Sequence, residues 1–562
     1  MQLKTLFRKK DIERTVNDVL SQEVEEKLVL HRSLRLKDLT AFGIAAIIGA
    51  GIFSTIGEAA ASGGPAVSLL FVFTAFACLF SALCYAQFAS GIPVAGSAYT
   101  YSYVAFGEII AWIIGWDLLM EYAVGNIAVA ISWSGYFTTL MDGLRLTIPP
   151  YLTTDFSSAK NAYQEYLSSQ GNVPAYVKQG YMAWTNAPQL AGIKIILNLP
   201  AFFINVFITI LVYIGIRESK TTSNILVGLK ILIILMFIGV GFFYVDSGNW
   251  SPFAPNGTSG VLQGVAAVFF AYIGFDAIST TAEESINPQK DLPRSMILSL
   301  IICTILYVAV TFVLTGMVNY SELAVDDPLA YAFSQKGLTR LSGLIAFSAV
   351  IAMASVLLVF QVGQPRIWMA MSRDGLLPSV FARIHPKFRT PSFSTIVTGI
   401  LVGVPALFTN LSTMTELTSI GTLFAFVVVC AGVLALPKSN HQPGTFKIPY
   451  FNAAYFIPPL LIITISLILY IDLNSVKQFL AFTEWEIDKH KIPLAGFFIA
   501  FGIIAYYSFI KKLSLIPVLG LIINLYLMAQ LEITNWLRFL IWLAVGFIVY
   551  FFYGIKNSKL RN

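Results

Sequence analysis

The first long apolar segment of the chain reads FGIAAIIGAGIF from Phe42 to Phe53. In the middle of this segment Gly49 and Gly51 bracket a single alanine, and a glycine costs about 1 kcal/mol relative to alanine inside a helix. The pattern predicts that the backbone leaves the helix here. In a membrane, non-helical backbone is tolerated only where it lines a cavity or is buried in protein. We therefore expect this break to belong to a binding site.

A second break is predicted in the sixth apolar segment, which reads FFAYIGFD from Phe269 to Asp276. It places Gly274 two residues before a carboxylate. One glycine of this kind would favour close helix packing. Two interrupted segments, five spans apart, favour an inverted-repeat transporter with its site near the membrane midplane.

The composition indicates a protein with many membrane spans. Of the 562 residues, 57% are hydrophobic and 12% are charged, whereas soluble proteins have roughly 25% charged residues. The apolar residues form runs long enough for the roughly 20 residues that a crossing needs. We predict an all-α polytopic membrane protein with about 14 spans. The expected spans are 39–60, 66–90, 104–140, 192–216, 222–246, 260–284, 293–317, 341–368, 392–409, 415–436, 453–471, 493–510, 513–530 and 535–553.

The distribution of Lys and Arg predicts the orientation, because these residues concentrate on the cytoplasmic side. With a cytoplasmic N-terminus, most of the 36 basic residues fall in inner segments, so both termini are predicted to be cytoplasmic. The plasma membrane is the default assignment, since the sequence does not indicate which membrane holds the protein. The net charge of +6 follows from this bias and needs no nucleic-acid partner. Residues 1–38 read either as an amphipathic helix on the membrane surface or as a solvated tail. Residues 141–190 form the longest outer loop.

Cysteine and histidine usage argues against metal binding and catalysis. The four cysteines lie inside apolar runs and the four histidines lie in separate loops (Cys78, Cys84, Cys303, Cys430; His31, His385, His441, His490). Neither set has the spacing of a disulfide framework or a metal site. We expect no metal, no enzyme cofactor and no enzymatic activity.

Two ionisable residues inside predicted spans suggest a coupling mechanism. Lys230 lies in the fifth span, where a buried lysine is costly unless it is paired or neutral. A lysine that can lose its proton can couple proton movement to a conformational change, although snorkelling to the inner interface is an alternative. Glu121, in the third span, is the predicted acidic partner for Lys230 or for a passing proton. Asp117 is a weaker candidate, and Asp276 is expected to hold the broken backbone.

Ordered motifs along the chain resemble the cationic amino acid transporter branch of the amino acid–polyamine–organocation superfamily. The matching stretches are IGAGIF (48–53), FAYIGFD (270–276), MSRDGLL (371–377), IGTL (420–423) and WLRF (536–539). The resemblance implies a LeuT-type core of five plus five inverted helices, here 39–246 and 260–436, with about four further helices in 437–562. It also implies coupling to protons rather than sodium.

The breaks suit an amino acid zwitterion, because a half-helix start offers N–H groups to a carboxylate and a half-helix end offers carbonyls to an ammonium. The resemblance assigns the carboxylate to the N–H groups of Ala50 and Gly51, and the amine to the carbonyls of Ile47, Phe270 and Ile273. Carriers of arginine and lysine in this family tend to have a small residue where this chain has Phe360, so Phe360 implies a shallower pocket for small or apolar side chains. The predicted substrate-binding set is Ile47, Gly49, Ala50, Gly51, Phe270, Ala271, Ile273 and Phe360.

These observations favour a proton-coupled symporter of small or neutral L-amino acids that works by alternating access. Two alternatives remain open: a transporter or exchanger of cationic amino acids or polyamines, and a membrane amino acid sensor that does not transport. The expected partners are an amino acid and the lipid bilayer. The sequence does not predict the oligomeric state.

Overall fold

The structure is a computed structural model that describes residues 6–10, 33–92, 97–169, 173, 175–215, 220–436, 445–471, 488–489 and 491–561. Most of the predicted N-terminal segment 1–38 lies outside these residues. The described regular structure is helical apart from one short hairpin. The helices are α1 (Leu36–Ile47), α2 (Ile56–Gly63), α3 (Val67–Gly91), α4 (Ser97–Ala105), α5 (Glu108–Gly143), α6 (Phe156–Ser168), α7 (Ala175–Asn186), α8 (Leu199–Ile214), α9 (Lys220–Phe242), α10 (Gly257–Gln263), α11 (Val265–Phe270), α12 (Pro288–Met317), α13 (Pro328–Gln335), α14 (Thr339–Arg373), α15 (Ser392–Ala406), α16 (Leu411–Ala435), α17 (Ile457–Ile471), α18 (Lys491–Lys511), α19 (Leu515–Ala529), α20 (Ile533–Val549) and α21 (Ile555–Asn557).

The helices confirm a protein with many apolar, membrane-length segments. Within the described residues, nine helical segments are long and apolar enough to cross a membrane, and four shorter apolar helices accompany them. Each predicted span coincides with one of the helices or with a consecutive pair. The total of about 14 crossings stays a prediction, because length and composition alone do not settle which short helices cross.

The centre of the fold is α5, which packs along α14 and α16. In the most apolar window of α5, 94% of the residues are buried inside the protein, whereas the corresponding figure for α18 is 17%. A helix that is apolar on all sides and buried belongs in the core of a bundle. Other main pairings join α3 with α12, α16 with α19, and α1 with both α9 and α12.

The C-terminal helices pack both on one another and on the rest of the bundle. Helices α17 to α19 have a small apolar cluster of their own, which includes Ile457, Phe501 and Ile522. Helix α19 also packs against α16 and α3, and its Leu527 and Met528 belong to the main apolar core. Helix α20 docks on α5, where the indoles of Trp116 and Trp542 each donate to the other residue's carbonyl, at 2.8 and 3.0 Å.

Both described chain ends lie at the same end of the bundle. The Lys10 ammonium pairs with the Asp374 carboxylate at 2.7 Å, and the Lys559 N–H donates to the Asp374 carbonyl at 3.1 Å. Ser558 also donates to Glu108, at 2.5 Å. This agrees with termini on one side of the membrane, while the identity of that side stays a prediction.

The predicted outer loop 141–190 is largely helical. Helices α6 and α7 pack together around a small cluster of Ala159, Ala183, Ala187 and Ile196. The antiparallel pair β1 (Gln189–Leu190) and β2 (Ile193–Lys194) follows and leads into α8.

Candidate functional site

The first break lies where the sequence predicts it. Helix α1 ends at Ile47, and Ile48 adopts an extended conformation (φ −75°, ψ 92°). A π-helical turn then runs from Gly51 to Thr55 before α2 begins. Such turns are frequent at functional sites. Because the first N–H groups of a helix lack partners within it, the amides at the start of this turn can face a ligand.

The second break is a four-residue turn between α11 and a 3₁₀ segment, Phe275–Glu284. Gly274 has φ +118°, a conformation that L-residues rarely adopt. A Cβ at Gly274 would lie 2.8 Å from the Ala46 carbonyl carbon and oxygen, so this glycine also permits close approach to α1. Asp276 lies against the backbone amides of Gly274 and Ala277, consistent with its expected role in holding the broken backbone.

The two breaks are in direct contact. A Cβ at Gly51 would lie 2.3 Å from the Ala271 Cα, so only glycine fits at this crossing. The Thr55 hydroxyl lies 3.0 Å from the Gly51 carbonyl and 3.1 Å from the Ala267 carbonyl, and so links the two interrupted helices. The structure thereby brings the predicted residues of both breaks to one place.

Two of the three predicted carbonyl ligands have hydrogen-bond partners in this conformation. The Ile47 carbonyl accepts a hydrogen bond from the Tyr307 hydroxyl at 2.9 Å, and the Phe270 carbonyl accepts one from the Ile273 N–H at 3.2 Å. A carbonyl oxygen has two lone pairs, so each can accept a further donor from a substrate. Tyr307 is a neighbour of the site that the sequence analysis missed.

Lys230 is buried on α9, with 3% of its surface exposed. Its ammonium donates to the carbonyls of Ala45 and Ile48, both at 3.1 Å. These carbonyls flank the end of α1, where the helix stops bonding to itself. In this conformation the lysine therefore holds the last turn of α1 beside the break.

Glu121 and Asp117 face α16. Glu121 lies within hydrogen-bonding reach of Thr422, whereas Lys230 bonds to α1. The predicted pairing of Glu121 with Lys230 is therefore not among the contacts that the structure displays. Asp117, one turn earlier on α5, is fully buried, and neither of its carboxyl oxygens has a hydrogen-bond partner among the described residues. Buried polar groups without partners are rare. Asp117, which the sequence ranks below Glu121, is therefore the more unusual of the two carboxylates in its surroundings.

Phe360 of α14 lies beside Tyr122 and Gly125 of α5 and near Thr418 of α16. These four residues are called the wall below. The Phe360 ring meets the Tyr122 ring edge-on, with 5.5 Å between the centroids. Val356, one turn earlier on the same face of α14, packs against Gly49 of the first break, because a Cβ there would lie 3.2 Å from its Cγ2. Phe360 is therefore about one helical turn from the break.

A small cavity opens beside the breaks, between α2, α11 and α16. Its volume is about 30 Å³, and Glu58, Gln263, Ser412 and Glu416 are among its polar lining residues. A water molecule needs at least about 10–15 Å³. The cavity can therefore hold water but not an amino acid.

Two sequence comparisons match most of the chain. Residues 34–483 match the family model described as amino acid permease, and residues 513–558 match the model for the C-terminus of that family. Together the two models reach from the start of α1 to the end of α21.

The full-length relatives include proteins with different substrates in their names. Branched-chain amino acid permease BcaP of Bacillus subtilis (strain 168) is 38% identical over 560 residues, which are 99% of each chain. The methylthioribose transporter of the same organism is 38% identical over 563 residues and the whole of both chains. Cationic amino acid transporter 9, chloroplastic, of Arabidopsis thaliana is 34% identical over 93% of this chain and 88% of its own length.

Proposed function

Because the chain belongs to the amino acid permease family, we propose that it is a proton-coupled symporter that takes up small or neutral L-amino acids by alternating access. Family membership makes it a multi-pass membrane transporter and not an enzyme. The observation that carries the proposal is the contact between the two breaks at Gly51 and Ala271.

The breaks suit the part that all amino acids share. The N–H groups of Ala50 and Gly51 bind the substrate carboxylate, and the carbonyls of Ile47, Phe270 and Ile273 bind the amine. No charged side chain is needed for either group. Phe270 is buried at the end of α11, where it can act as a gate over the bound substrate.

The wall containing Phe360 suits an apolar side chain. An aromatic ring at this position offers apolar contact and fills the space that a long cationic side chain would need. The name of BcaP supports a neutral, branched substrate. The name of the Arabidopsis relative supports the alternative of a cationic substrate. Position 360 is Phe, however, and provides no acidic partner for a cationic side chain.

A second candidate substrate is methylthioribose, because the relative with that name is as similar to this chain as BcaP is. Methylthioribose has neither a carboxylate nor an amine. It would have to replace the two charged groups by hydroxyl contacts with the same backbone atoms.

Lys230 is the proposed coupling residue. A protonated lysine makes charge-assisted bonds to the carbonyls of Ala45 and Ile48, and these are stronger than neutral ones. Loss of the proton weakens the hold on α1, which can then tilt away from the break. Glu121, buried on α5, is proposed to relay the proton, and no sodium ion is required.

The proposal includes a LeuT-type architecture. The two repeats would be 39–246 and 260–436, with α17 to α20 as additional helices around them. The protein would reside in the plasma membrane (the inner membrane if the cell is Gram-negative) with both termini in the cytoplasm.

A competition panel tests the proposal. Purified protein in proteoliposomes would take up labelled leucine while each of the twenty amino acids, a polyamine or methylthioribose is present in excess. We expect alanine, valine, isoleucine and leucine to compete, and arginine, lysine and the polyamine to fail. Uptake of labelled arginine but not of labelled leucine would favour the cationic alternative, and uptake of labelled methylthioribose but not of labelled leucine would favour the second candidate. Saturable binding of an amino acid without uptake would favour a sensor.

A further inference from the structure

A glycine on α5 lies opposite Phe360. Gly125 is buried, and it is one turn beyond Glu121 on the same helix. A Cβ built on Gly125 would lie 3.4 Å from Cγ2 of Thr418 on α16 and 3.7 Å from the Cζ atom of Phe360. Both are ordinary van der Waals distances. The space in front of Gly125 is therefore about the size of one methyl group.

Neighbouring side chains fix this alignment. The Asn126 side-chain amide donates to the side-chain oxygen Oε1 of Gln361 at 2.5 Å. The side-chain nitrogen Nε2 of Gln361 donates to the Thr209 hydroxyl of α8 at 2.8 Å. Both amide residues are fully buried. Because each residue of the Asn126–Gln361 pair directly follows one of the facing residues, the bond sets the register of α5 against α14. Gly125 and Phe360 are held face to face.

The same space is connected to the breaks. Phe360 is one turn from Val356, which packs on Gly49. Thr418 precedes Ser419, whose hydroxyl donates to the Ala266 carbonyl of α11 at 2.9 Å. Two of the three groups around the space thus belong to helical turns that contact the first break or the helix leading to the second. The side chain of a substrate bound at the breaks would extend toward this space.

We propose that Gly125, together with Thr418 and Phe360, sets the width of the substrate side-chain pocket and admits a branched aliphatic group. This inference rests on the proposed function. Phe360 limits the length of the pocket, while the missing side chain at Gly125 adds room for one branch. Valine, leucine and isoleucine are then better substrates than a pocket closed by Phe360 alone would allow.

Gly125→Ala is the appropriate variant, because its methyl group fits without displacing Thr418 or Phe360. At Gly363 the equivalent methyl would lie 2.6 Å from the Tyr122 ring, so that substitution would report on packing instead. Gly343→Ala is the matched control, since a Cβ at Gly343 on α14 meets no atom within 4 Å. Thr418→Ser is the reciprocal variant, because it removes the facing methyl and keeps the hydroxyl that bonds to Met414.

The experiment measures kcat/KM for leucine and alanine uptake in proteoliposomes that contain wild type, Gly125→Ala, Thr418→Ser, the double variant or Gly343→Ala. One methylene in an apolar pocket changes discrimination by about tenfold or more. We expect Gly125→Ala to lower the leucine-to-alanine ratio by about tenfold, Thr418→Ser to raise it, the double variant to lie between them, and Gly343→Ala to keep the wild-type ratio.

Two results would overturn the inference: an unchanged ratio in Gly125→Ala, or an equal loss of leucine and alanine uptake, which would indicate a purely structural role. The proposed function has its own point of failure in the same experiment. If wild type takes up neither amino acid, the proposed function fails first and the pocket assignment fails with it.

Discussion

The two helix breaks and the wall around Phe360 both depend on glycine, but the surroundings of their glycines differ. At Gly51 an added methyl would overlap the Ala271 backbone at 2.3 Å, whereas at Gly125 it would fit at 3.4 Å or more from its neighbours. The contact between the breaks has no space for any side chain larger than glycine. Such a fixed geometry suits recognition of the carboxylate and amine common to all amino acids. The wall has space for about one methyl group, which suits recognition of the part that differs between them.

The largest expected effect is at the tighter of the two regions. Gly51→Ala should reduce uptake of every substrate by up to about a hundredfold, since overpacking of a filled site costs about 1–3 kcal/mol and this site also binds the substrate. Uptake would be measured per folded protein in proteoliposomes, with thermal unfolding of the detergent-solubilised protein beside it. Gly343→Ala is the control. Wild-type uptake by Gly51→Ala would show that the breaks are not in contact during transport.

Lys230→Met should uncouple substrate uptake from the proton gradient. Hydrogen bonds to charged groups are worth about 1.5–3 kcal/mol, so we expect pH-gradient-driven uptake to fall by about tenfold or more. Exchange of internal for external substrate without a gradient should persist. Lys290→Met, which replaces an exposed lysine at the start of α12, is the matched control. Uptake that still follows the gradient in Lys230→Met would rule out this lysine as the coupling residue.

Phe360→Ser should change the wall and leave the breaks as they are. Removal of the ring lengthens the pocket, so arginine and lysine should begin to compete with labelled alanine, by about tenfold over wild type. Val206→Ser, on the exposed face of α8, is a control for adding a serine to an apolar helix. If alanine still competes in Phe360→Ser while arginine and lysine fail, then position 360 does not limit pocket length.

The smallest expected effect concerns the support of the wall. Asn126→Ala leaves the buried side-chain oxygen of Gln361 without its donor, which lowers the free energy of unfolding by about 1–3 kcal/mol. The unfolding temperature in detergent should fall, with a modest loss of uptake. Thr464→Ala, at a half-buried position of α17, should leave the unfolding temperature near that of wild type. An unchanged unfolding temperature in Asn126→Ala would indicate that this bond does not hold α5 against α14.

The breaks could be predicted from sequence because their cause is local. Gly49, Gly51 and Gly274 interrupt long apolar runs, and each glycine weakens the helix at its own position. The burial of Lys230 was predictable for a similar reason, since it stands within an apolar run. The acceptors of Lys230 were not, because they depend on how α9 is rotated against α1, and a helix that is apolar on all sides has no periodic pattern to indicate its orientation.

The wall shows the same limit more strongly. Phe360 was predicted through the family resemblance, but nothing near Gly125 in the sequence distinguishes it from a glycine that serves helix packing. Its role depends on α14 and α16, which are distant from it in the chain. The same holds for Tyr307 and the Ile47 carbonyl. Contacts between helices that are distant in the chain decide these roles, and such contacts have no local signal from which a single sequence would predict them.

The central claim is that the breaks bind a free carboxylate and a free amine. Its most direct test is competition against labelled leucine uptake by leucine, leucinamide, N-acetylleucine and isoamylamine, which differ only in those two groups. We predict that leucine alone competes strongly, and that each of the other three is weaker by about ten- to a hundredfold, since each loses a charged hydrogen-bonding group worth about 1.5–3 kcal/mol. Competition by leucinamide or isoamylamine as strong as that by leucine would contradict the assignment of the breaks as the substrate site.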